Sequence, residues 1–149
     1  MIRSLPDVVR ELDAFTEADF DYRSPNGGLE RLDALCDDVL SLPVPSDTFR
    51  YFFRLMERLP DADFGSPGSL VHTMERHIGS YEDMLAESVE RKPTSLSIWM
   101  VNRILNGKTS DRERWLRLLA LAADHPQASE VTRNEARHFI EFQESKKQK

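Results

Sequence analysis

Three side chains near the middle of the chain have chemistry suited to a metal ion: His72, Glu75 and His77. A helix that binds a metal places its ligands three or four residues apart, so that they share one face. His72 and Glu75 have that spacing, but His77 lies five residues from His72 and turns away from it. We therefore predict no metal site. We expect His77 to be partly packed near Met74 instead.

The sequence also offers little for covalent catalysis. Cys36 is the single cysteine, and it lies within an apolar stripe where a thiol is expected to be buried and unreactive. We find no nucleophile elbow, phosphate-binding loop or dinucleotide fingerprint, and the turn at 65–68 lacks the lysine of a phosphate cradle. Carboxylates adjacent in sequence, such as Asp37-Asp38 and Glu82-Asp83, point in different directions around a helix and so do not form a catalytic pair. The sequence predicts neither a catalytic site nor a cofactor, and we expect a protein that is not an enzyme.

Charge is distributed unevenly along the chain. The net charge is −6, yet residues 7–38 contain ten acidic and three basic residues, a net −7, which leaves the remainder close to neutral. An acidic surface repels phosphate backbones and attracts basic proteins. We predict a cationic protein partner and no nucleic acid. The alternative is that these acids only keep the surface solvated.

Two predicted helices carry most of the candidate binding residues. The first runs from about Gly28 to Leu42, with an apolar face and an acidic face opposite, because spacings of three and four stay in register. Its apolar face comprises Leu29, Leu32, Leu35, Cys36, Val39 and Leu40. The candidate partner-binding residues are Glu30, Asp33, Asp37 and Asp38 on this helix, followed by Glu82, Asp83 and Glu87 on a later one.

The elements that position these residues are all predicted to be α-helices. Apolar residues recur at helical spacing and strict alternation is missing. The breaker Ser24-Pro25-Asn26-Gly27-Gly28 predicts a loop from Phe15 to Gly28 with one partial turn. The residues that we expect on inward faces are Leu5, Val8, Val9 and Leu12 in the first helix; Phe49, Phe52, Phe53, Met56 and Leu59 in the third; and Leu70, Val71, Met74 and Ile78 in the fourth, which begins near Pro67.

The later helices complete this pattern. A helix from about Thr94 to Asn106 is apolar on nearly every side, which predicts a buried central helix. The helix after Ser110 should bury Trp115, Leu116, Leu118, Leu119 and Leu121, and the last, from about Ser129 to Gln143, should bury Val131, His138, Phe139 and Phe142. We expect residues 144–149 to fray.

The predicted architecture is a single all-α domain spanning residues 1–149. About eight helices joined by short breakers should form antiparallel pairs, either as a HEAT-like stack of α-hairpins or as an irregular helical bundle. The N-terminus lacks the apolar run of a signal peptide, and no segment approaches the length of a membrane span. We therefore expect a cytoplasmic protein that does not bind membranes.

Several short motifs suggest a family. They are Gly65-Ser66-Pro67-Gly68, Leu70-Val71-His72, Tyr81-Glu82, Arg91-Lys92-Pro93-Thr94 and Trp99-Met100-Val101-Asn102-Arg103-Ile104. With these motifs, the region from about Phe53 to Phe142 resembles small all-α immunity proteins of bacterial polymorphic toxin systems, including those of contact-dependent growth inhibition.

The resemblance implies a function without catalysis. Such proteins bind one cognate toxin domain in the cytoplasm of the producing cell and commonly cover a basic active site. The acidic faces would then steer the encounter with a cationic toxin. A HEAT-like scaffold that docks a housekeeping partner is the alternative, and in that case the acids serve solubility.

Overall fold

The computed structural model describes residues 3–21, 27–65 and 68–147 of the chain. Within these ranges there are eight α-helices, two short 3-10 helices and no strand, which confirms the all-α prediction. The α-helices are α1 (Leu5–Ala14), α2 (Gly28–Leu40), α3 (Phe49–Arg58), α4 (Gly68–Glu75), α5 (Glu82–Arg91), α6 (Ser95–Asn106), α7 (Arg112–Ala123) and α8 (Glu130–Lys147). The 3-10 helices are Glu17–Phe20 and Pro45–Thr48.

The chain divides into two compact units, residues 1–84 and 85–149, and α5 contains the point of division. The N-terminal unit has seventeen acidic and eight basic residues, a net charge of −9, whereas the C-terminal unit has nine acidic and twelve basic residues, a net +3. The charge asymmetry of the sequence is therefore an asymmetry between two structural units. That the chain is a single domain stays a prediction, which unfolding measurements can test.

Local sequence signals set the starts of two helices. Ser4 precedes α1, and its hydroxyl accepts a hydrogen bond from the amide of Asp7 while the Asp7 carboxylate accepts one from the amide of Ser4. Thr94 and Ser97 form the same reciprocal pair at the start of α6. These capping boxes satisfy amides that have no partner within their own helix. Pro67, where the fourth helix was expected to begin, lies outside the described residues.

The aromatic stripe of α3 forms the core of the N-terminal unit, as predicted. Phe49, Phe52 and Met56 are completely buried, and Phe53 is nearly so. Spacings of three and four place these side chains on one face of the helix, where they are removed from water together. The predicted inward faces of α1 and α2 are only partly confirmed, because Val8 and Leu12 are buried whereas Leu29 is 38% exposed.

The connection between α1 and α2 contains a core residue that the sequence reading missed. A 3-10 turn at Glu17–Phe20 buries Phe20, whose ring centroid lies 5.3 Å from that of Phe15 and 4.8 Å from that of Phe64. The turn also brings the carbonyl oxygen of Asp19 against Gly28, where an added Cβ would lie 1.9 Å from it. Glycine is therefore required at the start of α2. The Ser24-Pro25-Asn26 part of the predicted breaker lies outside the described residues.

In the C-terminal unit, α6 buries most of its residues, as its apolar sequence predicted. Ile98 and Val101 are fully buried, and α6 packs against both α7 and α8. Burial does not extend around the whole circumference, because Trp99 is half-buried and the Arg103 guanidinium lies over its ring, 5.5 Å from the centroid. The three helices form an irregular helical bundle.

The predicted inward face of α8 is wrong. Val131 is 55% exposed and Phe142 42% exposed, and His138 is also exposed. Instead the helix buries Thr132, Ala136 and Gln143. The physical reason is that Gln143 hydrogen-bonds to polar side chains of α6 and α7, while Ala136 allows close packing, so a polar and small-residue face turns inward. Phe139 is half-buried.

The end of α8 also differs from the prediction. The helix continues to Lys147, a turn beyond Gln143, and Lys146 Nζ donates to Asn106 Oδ1 at 2.6 Å. This contact to α6 holds part of the segment that was expected to fray.

The predicted burial of two further residues, Ile78 and Leu121, is also wrong. Ile78 is 81% exposed because α4 ends at Glu75, so helical spacing no longer determines where Ile78 points. In α7 the predicted Trp115, Leu118 and Leu119 are buried, whereas Leu121 is 44% exposed because Ala122, the next residue, completes that face. Ile78 lies beyond the end of its helix, and Leu121 lies outside the i, i+3, i+4 and i+7 positions that form the buried face of α7.

Candidate partner-binding surface

The acidic face of α2 lies where the sequence placed it. Leu32, Leu35, Cys36 and Val39 are buried on one side of the helix, and Glu30, Asp33 and Asp37 are exposed on another. The α2 helix packs against α1 and α4, which cover its apolar side. The three carboxylates are therefore displayed by a helix whose opposite face is fixed in the core.

The four acidic candidates on α2 differ in what they contact. Asp33 accepts a hydrogen bond from the hydroxyl of Ser69 in α4, and Asp38, with its side chain 43% exposed, pairs with Arg3 at 3.3 Å. Glu30 and Asp37 have no ion pair or hydrogen bond from their side chains among the described residues. Glu30 and Asp37 are thus the two carboxylates of α2 most available to a partner.

Arg3 holds two acids from different helices. Its guanidinium contacts Glu11 of α1 as well as Asp38 of α2, and the hydrogen bond to Glu11 is the main reason that the pKa of Arg3 is raised. These three residues line a cleft of about 280 Å³ together with Arg31 and Phe15. Asp38 is consequently part of an intrachain ion-pair cluster, with less free charge to offer than Glu30 or Asp37.

Most other acids of the 7–38 segment are also engaged. Asp13 accepts from Arg54 at 2.7 Å, and Asp19 accepts from the Thr16 amide at 2.8 Å and from Arg31 at 2.5 Å. The backbone hydrogen bond is the main reason that the pKa of Asp19 is lowered. Arg3 and Arg54, which lie outside the segment, therefore offset part of the negative charge that the segment shows when it is read alone.

The candidate residues of α5 fall into two groups. The Glu82 carboxylate accepts hydrogen bonds from the amides of Gly79, at 2.7 and 3.0 Å, and of Tyr81, at 3.2 Å. It therefore satisfies free amides at the start of α5 and has a structural role. Asp83 is exposed and makes intrachain contacts, and Glu87 is exposed without a side-chain partner among the described residues.

The residues considered for metal or covalent chemistry are not assembled into a site. The structure places no group of three His, Cys, Asp or Glu side chains close enough to hold a metal within the described ranges. His77 is half-buried, with its ring 5.9 Å from that of Phe49, which confirms its predicted packing. Cys36 is buried as predicted, and burial raises the pKa of its thiol to about 12. A thiol in that state is a poor nucleophile.

One surface feature was not predicted from the sequence. An apolar groove of about 480 Å³ lies between the first turn of α1 and the segment that follows α2. Leu5, Leu42, Pro43 and Val44 line it, together with the charged residues Arg3 and Asp47. The signal that could have found the groove is Val44, an apolar residue between two prolines in a segment too short to bury it.

Taken together, the fold and this surface define an all-α protein with an acidic N-terminal unit. Comparisons with protein-family models, with curated proteins and with solved structures gave no match to the chain. Among the described residues, no helix is both long and apolar enough to cross a membrane.

Proposed function

We propose that this chain is an immunity protein that binds and neutralises a cognate bacterial toxin domain. The observation that carries the proposal is the net charge of −9 on the N-terminal unit, with Glu30 and Asp37 displayed on α2 and free of intrachain partners among the described residues. Such a surface attracts a basic toxin and speeds its capture. The resemblance of the region from Phe53 to Phe142 to immunity proteins supports the same class.

The proposed mechanism is occlusion without catalysis, in the cytoplasm of the producing cell. The carboxylates of α2 stand in for phosphate groups at a basic active-site surface, which keeps nucleic acid or another anionic substrate away from the toxin. Asp83, in the N-terminal unit, and Glu87, in the C-terminal unit, are further exposed acids that are candidates for toxin contact. No cofactor takes part in this mechanism.

Co-expression is the direct test. The chain should restore growth to cells that express the toxin domain encoded beside it, and the two proteins should form a stable 1:1 complex in size-exclusion chromatography with light scattering. No rescue together with no complex would refute the proposal.

Charge reversal on α2 tests the electrostatic part. In Glu30→Lys/Asp37→Lys, the association rate constant at low salt should fall about tenfold, and its dependence on salt should weaken, because steering is screened by ions. Stopped-flow fluorescence across a salt series measures both. The matched control is Glu141→Lys/Glu144→Lys, which makes the same charge change at exposed positions of α8 in the basic unit.

A specific observation favours a second candidate function. Because Asp13, Asp19 and Asp38 are already paired with arginines of this chain, part of the acidity serves its own structure. That is the expectation for a HEAT-like scaffold that docks a housekeeping partner. Equal association rates for the wild type and the α2 charge-reversal variant would favour the scaffold.

A further inference from the structure

The apolar groove of the N-terminal unit is built from residues that the proposed acidic contact does not use. Leu42 is almost completely buried, at 7% exposure, and forms the interior, whereas Val44 is 50% exposed. Leu5 and Pro43 complete the apolar lining. Pockets of this kind, apolar inside and charged beside, are where protein interfaces place their anchoring side chains.

The charges beside the groove favour one kind of occupant. The guanidinium of Arg3 is held by Glu11 and Asp38, so its positive charge is offset within the chain. Asp47 also lines the groove, and its side chain has no partner among the described residues. The charged side chains in and next to the groove, Arg3, Glu11, Asp38 and Asp47, therefore sum to −2, in a unit whose net charge is already −9.

We propose that this groove is an anchoring site for a protein partner, and that it receives an aromatic side chain adjacent to a lysine or arginine. An aromatic ring offers a large apolar surface to Leu42 and Val44, and the neighbouring cation complements Asp47. A fatty acid or a phospholipid headgroup is disfavoured, because its anion would meet that carboxylate. The inference rests on the proposed function only in taking the partner to be the toxin domain.

A small probe tests the groove without the partner. Tryptamine carries an indole ring and a cation, whereas indole-3-propionate carries the same ring and an anion. In NMR titrations of the full chain with methyl labelling, tryptamine should shift the methyl resonances of Leu5, Leu42 and Val44. It should bind at least about threefold more tightly than indole-3-propionate, since an exposed charge pair contributes modestly.

Three variants assign the site. Val44→Arg places a long charged side chain at the groove and should abolish the shifts. Ile78→Arg makes the same change at an exposed apolar residue of the same unit outside the groove, and should leave them unchanged. Asp47→Asn retains the apolar lining and should remove the preference for tryptamine. Val44 is half exposed, so Val44→Arg should fold, and Asp47→Asn provides an independent test.

The partner experiment distinguishes the two proposals. Val44→Arg should weaken the toxin complex at least about tenfold, the loss expected of a central anchoring contact, while Ile78→Arg should bind like the wild type. If the wild type binds the toxin and Val44→Arg binds equally well, the groove proposal is overturned and the proposed function stands. If the toxin does not bind but tryptamine selects the groove as described, the proposed function fails and the groove serves another basic protein.

Several outcomes overturn the groove proposal directly. Absence of methyl shifts at millimolar tryptamine is one, and a preference for indole-3-propionate, which would indicate an anionic ligand, is another. Shifts of the same methyls on concentrating the protein alone would assign the groove to a second copy of this chain. Markedly tighter tryptamine binding by Ile2→Ser would assign it to the chain's own amino terminus.

Discussion

Residues 1–84 bury a cluster of phenylalanines, whereas residues 85–149 bury several alanines and a connected set of polar side chains alongside their larger apolar residues. In the first unit Phe49, Phe52 and Phe53 fill the core. In the second, Gln143 Nε2 donates to Asn102 Oδ1 at 2.7 Å and to Asn106 Oδ1 at 3.0 Å. Apolar filling tolerates many arrangements, but a buried amide must meet its partners, so polar contacts fix the register of the helices.

Arginines bind the ends of helices in both units. In the acidic unit, Arg58 donates to the carbonyl of Leu12 at 3.0 Å, near the end of α1. In the basic unit, Arg137 donates to the carbonyl of Ala123 at 2.7 Å, at the end of α7. Carbonyls at the end of a helix have no intrahelical partner, so these contacts stabilise both units. The units differ instead in net charge, −9 against +3, and that difference underlies the proposed binding surface.

The chain contains a spectroscopic or chemical probe for each unit. Its one cysteine, Cys36, lies in the N-terminal unit, and both tryptophans lie in the C-terminal unit. Labelling of the buried thiol reports opening of the first unit, and tryptophan fluorescence reports unfolding of the second. Coincident transitions in urea would support the predicted single domain, and separate transitions would refute it.

The largest expected effect is in the phenylalanine core. Phe52→Ala removes a fully buried ring and should lower the free energy of unfolding by about 3–5 kcal/mol, with faster labelling of Cys36. The control is Phe142→Ala in α8, where the ring is 42% exposed and the loss should stay below about 1 kcal/mol. Similar losses of stability in the two variants would contradict the assignment of Phe52 to the core and of Phe142 to the surface.

The buried amide of the C-terminal unit comes next. Gln143→Ala leaves Asn102 without its donor and Arg112 without the Gln143 oxygen that it contacts at 2.9 Å, which should cost about 2–3 kcal/mol. Urea unfolding followed by tryptophan fluorescence measures it. Gln127→Ala, at an exposed position of the same unit, should change stability little. A negligible effect at Gln143 would mean that the polar contacts do not hold the bundle.

The smallest effect should have the opposite sign. The hydroxyl of Thr48 is buried without a hydrogen-bond partner among the described residues, so Thr48→Val should stabilise the N-terminal unit by about 1 kcal/mol. Thr132 in α8 is equally buried, but its hydroxyl accepts from Ser129 at 3.1 Å. Thr132→Val should therefore destabilise by about 1 kcal/mol. Changes of the same sign in both variants would contradict this contrast.

Sequence periodicity predicted the features that depend on neighbours along one helix. The stripe of α3 and the extensive burial of α6 follow from this periodicity, and the helix starts at Ser4 and Thr94 follow from the residue types there, all within about four residues. The prediction for α8 failed because its inward face was decided by Gln143, a polar residue that hydropathy places outside. The prediction that Ile78 faces inward failed because α4 had already ended at Glu75.

The sequence by itself determined the helical class, the core stripe of α3 and the acidity of the first unit. Only the tertiary structure decided which acids remain unpaired, because their partners come from distant positions: Asp13 meets Arg54, 41 residues away. It also decided which face of α8 is buried and that Leu5, Leu42 and Val44 together form a groove. Helical periodicity is a local property, whereas ion pairs, buried amides and grooves require side chains that only folding brings together.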